Sequence, residues 1–145
     1  MRPQKHVLTC INAPDIARVV SSCLHNEFAQ QYDVSVTEVH FIDKLLSKGE
    51  SDPPDLFILL LNNMFYSYAH GRHRGDEKLN RIKHLLEVIT CLKQTSHKPV
   101  IAMTEWPVSL DSWNEENIKQ AGASFLFSLP LEGSQLSHAA RHCLE

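Results

Sequence analysis

No long apolar run occurs in this sequence. The longest, Leu56 to Leu61, falls far short of the roughly 20 residues that a membrane-crossing helix needs, so no contact with a membrane is expected. Cysteines are few and scattered. Cys10, Cys23, Cys91 and Cys143 form no C-x-x-C pair, which removes the local spacing of a zinc or redox site. They read as small apolar side chains in a reducing compartment. The five glycines are nowhere arranged as G-x-G-x-x-G or as a P-loop, and no G-x-S-x-G elbow occurs. Nucleotide binding through a glycine loop and an elbow nucleophile are therefore unsupported. Charge of one sign is also lacking: 14 basic against 17 acidic side chains give a net charge of -3, which argues against a nucleic-acid partner. The N-terminal residues lead straight into a strand pattern and not into the apolar core of a signal peptide. A cytoplasmic protein is expected.

What the sequence does contain is alternation. His6 to Ile11 reads as a strand, followed by a turn at Asn12-Ala13-Pro14-Asp15 and a helix from about Asp15 to Gln31 with an apolar face. Val34 to His40 alternates at period two, as an edge strand does. Phe41 to Lys48 forms a short amphipathic helix, with Gly49 as its expected stop. Leu56 to Leu61 and Pro99 to Thr104 are continuous apolar runs, the pattern of strands buried on both faces. Between them Leu79, Ile82, Leu85, Leu86, Ile89 and Leu92 mark a helix opened by Asp76-Glu77, whose negative charge suits a helix N-terminus. Ser112-Trp113-Asn114-Glu115 has the spacing of a capping box, and Gly122 that of a left-handed cap. A fifth strand, Ser124 to Ser128, precedes a turn at Leu129-Pro130-Leu131, where proline permits a cis bond, and a final helix from Glu132 to Leu144. The order is (βα)5. It predicts an α/β fold, a three-layer αβα sandwich around a five-stranded parallel sheet of flavodoxin-like type. Residues 1–145 read as one domain. Ligand sites in such sheets lie at the carboxyl ends of the strands.

Val7 to Ile16, Pro54 to Leu59, Pro99 to Thr104, Ala121-Gly122-Ala123 and Pro130 together resemble the response-regulator receiver domain. Their order and spacing carry the likeness over nearly the whole chain. The resemblance implies a two-component, phosphorelay-like signalling module. It also shows what has been lost. The acidic pair that holds magnesium in the family falls on Ile11 and Asn12. The phosphoacceptor aspartate falls on Leu60, or in a shifted register on Leu61 or Asn62. The lysine falls on Leu129 and the aromatic switch residue on Leu126. Thr104 alone is kept. Magnesium needs hard oxygen ligands, so no metal or other cofactor is expected. The reading is a degenerate, pseudo-receiver domain that acts through a protein partner and is not an enzyme. A homodimer through the last two helices and the last strand is one expected assembly.

Other groups carry weaker signals. An insertion around residues 63–78, after the third strand, brings Tyr66, Tyr68, Arg72 and Arg74 above the strand ends. With Trp106 they form a candidate interaction or anion-binding loop, although a solvated loop whose aromatics cap the core is the favoured explanation. His70, His73, Asp76 and Glu77, or His138 and His142, lack a known metal spacing. The alternative function is a small-ligand binder or enzyme on the same fold, with a pocket formed by Asn12, Asn63, Thr104 and the insertion.

Overall fold

Four mostly apolar runs and one alternating segment pair side by side into one parallel sheet. In a computed structural model, which describes residues 2–64, 77–104, 109–110, 113–129 and 132–145, the elements follow in the order β1 (Gln4–Cys10), α1 (Pro14–Phe28), β2 (Asp33–Val39), α2 (Ile42–Ser51), β3 (Leu56–Leu60), a 3-10 turn (Leu61–Asn63), α3 (Glu77–Ser96), β4 (Val100–Thr104), β5 (Ser109–Leu110), β6 (Trp113–Asn114), α4 (Glu115–Ala121), β7 (Phe125–Ser128) and α5 (Gly133–Leu144). The parallel sheet has the order β2-β1-β3-β4-β7. β3 and β4, the two uninterrupted apolar runs, are central and buried at every position. The alternating β2 lies at an edge, as its pattern predicts.

The helices bury the two faces separately. Val7, Leu56, Ile58, Leu60, Ile101 and Met103 turn toward α1 and α5, where Val20, Leu24, Leu136 and Ala140 meet them. Leu8, Phe57, Leu59, Leu61 and Ala102 turn toward α2, α3 and α4, where Leu45, Ile89, Leu92 and Ile118 meet them. This is the period-two rule of a strand acting on two helical layers. A polar clamp closes the first layer. Arg141 on α5 donates to Glu27 on α1 at 2.6 and 3.2 Å and to Gln31 at 2.8 Å, and its guanidinium lies 5.3 Å from the centre of the Phe28 ring.

Gly122 behaves as expected. It has φ of +132°, its N–H donates to the Lys119 carbonyl, and the Ala123 N–H donates to that of Ile118, the pair of bonds that ends a helix through a left-handed residue. Gly49 does not. It lies inside α2, and a Cβ there would come within 3.1 Å of Phe57 and 3.3 Å of Leu92. Its role is close approach of α2 to β3 and α3, which a helix-stop reading misses. Downstream of β4, β5 and β6 form an unexpected antiparallel ribbon. Trp113 and Asn114 are thereby extended, and α4 begins at Glu115, later than the capping-box spacing implies. Ser112 itself, like Pro130, lies outside the described residues. Cys10 is buried, as a small apolar side chain in a strand should be, but Cys91, read from the sequence in the same way, is exposed. At 3.6 residues per turn it falls well off the stripe of Leu85, Val88, Ile89 and Leu92.

Candidate functional site

The chain runs from β1 outward to β2 and then returns to β3 on the other side of β1. That reversal opens a crevice at the carboxyl ends of β1 and β3, the place where parallel sheets bind ligands. The ladder fixes which residues share a level there. Cys10 pairs with Leu59, Leu60 with Met103, Met103 with Phe127, and Thr104 with Ser128. One step beyond the Cys10–Leu59 pair, Ile11 is level with Leu60. One step beyond the Leu60–Met103 pair, Leu61 is level with Thr104.

Every candidate at this level is apolar or an amide, apart from the Thr104 and Ser128 hydroxyls. Leu60, Leu61 and Thr104 are fully buried, Ile11 is 4 % exposed and Asn62 5 %. Leu60 and Leu61 turn to opposite faces, so each is held by a different helical layer. Leu129 is half-buried, and its backbone N–H donates to the Thr104 carbonyl at 2.8 Å, which continues the β4–β7 ladder by one residue. Leu126, half-buried, packs on the α2–α3–α4 side, whereas Phe125 and Phe127 pack on the other. The described residues that end β1, β3, β4 and β7, or directly follow them, include no carboxylate.

Asn12 is engaged away from this crevice. Its Nδ2 donates to the His40 carbonyl at 2.8 Å, and its Oδ1 lies 3.2 Å from His40 Nδ1. The pair ties the end of β1 to the end of β2. Beside it a groove of about 550 Å³ runs between α1 and the end of β2. Ile11 and Asn12 form its base, Arg18, Ser21 and Ser22 on α1 one wall, and Glu38 and His40 the other. The pocket expected from sequence used Asn63 and Thr104. This groove includes neither, and shares only Asn12 with it. The signal for the groove was present in the sequence: Glu38 and His40 stand two apart on a strand, and Arg18 and Ser22 four apart on a helix, so each pair shares a face.

Tyr66, Tyr68, Arg72, Arg74 and Trp106 lie outside the described residues, as do His70, His73 and Asp76. His138 and His142 are both exposed on α5, and the His142 ring stands edge-on to Phe125 at 5.6 Å. Among the described residues no group of three or more His, Cys, Asp or Glu side chains is arranged to hold a metal. No helix there is long and apolar enough to cross a membrane.

No family model matches the sequence, and no curated protein matches it. Solved structures do. The signal receiver domain of a modulated diguanylate cyclase from Desulfovibrio desulfuricans superposes with a TM-score of 0.61 over 97% of this chain and 94% of that one, at 13% identity. The receiver domain of NtrX from Brucella abortus gives 0.66 over 95% and 97%, at 17% identity. The fold is that of a response-regulator receiver domain. The receiver fold is not confined to proteins named as regulators. A protein from Burkholderia pseudomallei named for a relation to pilus assembly matches with a TM-score of 0.63 over 98% of this chain and 89% of that one, at 14% identity. At these identities the likeness speaks for the scaffold alone.

Proposed function

We propose that this chain is a signal-transduction module of pseudo-receiver type, which acts by protein contact without aspartate phosphorylation. One observation carries the reading. At the level where a receiver would hold its acids stand Ile11, Leu60 and Leu61, all buried in apolar layers. Such positions offer no hard oxygen to a magnesium ion. The amide of Asn12, already committed to His40, is a poor replacement for a carboxylate pair. These residues do not fit the ion, and no phosphoryl transfer is derived through it. Leu129 supplies no cation to answer an added charge. What remains is a rigid scaffold with exposed faces, suited to a non-enzymatic, cytoplasmic interaction domain. Its contact surface is placed on α4, β7 and α5. Phe125 and Phe127 there are half-buried on an edge strand, with ring centres 6.3 Å apart, and a second copy or another signalling protein could add to that edge.

Titration with magnesium and beryllofluoride, a phosphoryl mimic, tests the reading. The amide resonances of Asn12, Leu60 and Thr104 and the tryptophan fluorescence are expected to stay unchanged. A saturable response at those three amides would refute it and make the chain a working phosphoacceptor.

A further inference from the structure

The groove between α1 and β2 carries two charges that the receiver-like reading leaves unused. Arg18 stands on the helical wall and Glu38 on the strand wall. Both are exposed, and among the described residues no ion pair or side-chain hydrogen bond joins either of them to another group. Between them Ile11, Pro14 and Ala17 give the groove an apolar lining, and Ser21 and Ser22 add hydroxyls beside Arg18. The Asn12–His40 pair, bonded twice at 2.8 and 3.2 Å, holds one end of the groove in shape.

We infer that this groove binds a small amino-acid zwitterion, with its carboxylate on Arg18, its ammonium on Glu38 and its side chain on Ile11, Pro14 and Ala17. A volume of about 550 Å³ lies within the range of small-ligand sites, roughly 300 to 1,000 Å³. The charge pattern selects the class. An anion alone would satisfy Arg18 but leave the Glu38 carboxylate on the other wall of the same groove unanswered. A cation alone would do the reverse. A zwitterion answers both walls at once, and a guanidinium can take a carboxylate through two parallel hydrogen bonds. The walls are open to water, which screens both contacts. Affinity is therefore set in the millimolar range, where a Kd of about 1 mM corresponds to a small binding free energy. The groove shares Ile11 and Asn12 with the strand-end level but includes neither Leu60 nor Thr104. A leucine response confined to residues 11–22 and 38–40 is therefore distinguishable from a beryllofluoride response at Leu60 and Thr104, and either reading can fail without the other.

The test is an amide chemical-shift titration of the whole chain with three probes: L-leucine, 4-methylpentanoate, which lacks the ammonium, and 3-methylbutylamine, which lacks the carboxylate. Leucine is expected to shift residues 11–22 and 38–40 and to saturate below about 50 mM, as a millimolar Kd requires. Each single-charge probe is expected to bind about 2- to 5-fold more weakly, the effect of losing one water-exposed charge contact. Arg18→Gln and Glu38→Gln, both at exposed positions, are expected to weaken leucine by a similar factor while leaving shifts elsewhere intact. Absence of a saturable leucine response would overturn the inference. So would either single-charge probe, or either variant, matching leucine with the parent chain.

Discussion

Restoring the acid that a receiver would carry is the most direct test of how this site is built. Leu60→Asp puts a carboxylate at a fully buried position, in a layer shared with Ile11, Ile58, Met103 and Leu136. Loss of the leucine costs about 1.5–3 kcal/mol of apolar burial. A carboxyl in such surroundings has its pKa raised by roughly 3–5 units, because desolvation disfavours the charged form. At about 1.36 kcal/mol per unit this adds roughly 4 kcal/mol at pH 7, about 3 units above the unfolded value, and roughly 4–7 kcal/mol once the pH exceeds the raised pKa. The two terms together approach the whole stability of an ordinary domain, about 5–15 kcal/mol. The pH dependence follows from the direction of the shift. The folded state holds the proton above the unfolded pKa of about 3.9, whereas the unfolded state releases it, so stability falls as pH rises across that interval. Urea unfolding at about pH 4.5 and pH 8, with Leu60→Asn as a partner of similar shape that does not titrate, separates the terms. The midpoint of Leu60→Asp relative to the parent is expected to drop on going to the higher pH, and that of Leu60→Asn is not. An Asp variant as stable as the parent at both pH values, and phosphorylated by acetyl phosphate with magnesium, would refute the reasoning. The strand ends would then be open to water and competent.

Three further outcomes are expected. Gly49→Ala gains about 1 kcal/mol of helix propensity but sets a methyl group 3.1 Å from Phe57, which is fully buried. Overpacking of about 1–3 kcal/mol makes the net change a loss of up to about 2 kcal/mol in denaturant unfolding; a more stable variant would show that α2 has room to move. In timed alkylation read by mass spectrometry, the exposed Cys91 reacts first and the buried Cys10 last. Burial pushes the Cys10 thiol up to about 12, so almost no thiolate forms at pH 8 and labelling there requires unfolding; early modification of Cys10 would contradict its burial. Arg141→Met removes the bonds from α5 to Glu27 and Gln31 and is expected to lower the urea midpoint. Since the pair is about one-third exposed, the deficit should shrink in about 1 M salt, and a deficit unchanged by salt would assign the effect to packing on Phe28.

The elements of this protein were legible in the sequence because each follows from a local rule. Period two placed β2 at an edge. The unbroken apolar runs of β3 and β4 placed them at the centre. The stripe through Leu85, Ile89 and Leu92 set the buried face of α3, and Gly122 ended α4 because a left-handed residue was needed there. The loss of acidic character at Ile11, Asn12 and Leu60 was visible for the same reason, since residue type is read directly. Tertiary structure decided what depends on two segments meeting. Gly49 reads as a stop until Phe57 and Leu92 are seen against it. Ser112-Trp113-Asn114-Glu115 reads as a cap until Trp113 pairs with Leu110. The level of Leu61 with Thr104 follows from the ladder, which no single strand specifies. Asn12 reads as a lone strand-end amide until β2 brings His40 to it, and Arg18 and Glu38, 20 positions apart in sequence, become the two walls of one groove only through the crossover from α1 to β2. Local pattern fixes which face of a segment is buried; only packing between segments fixes what that face, and the open one opposite, will meet.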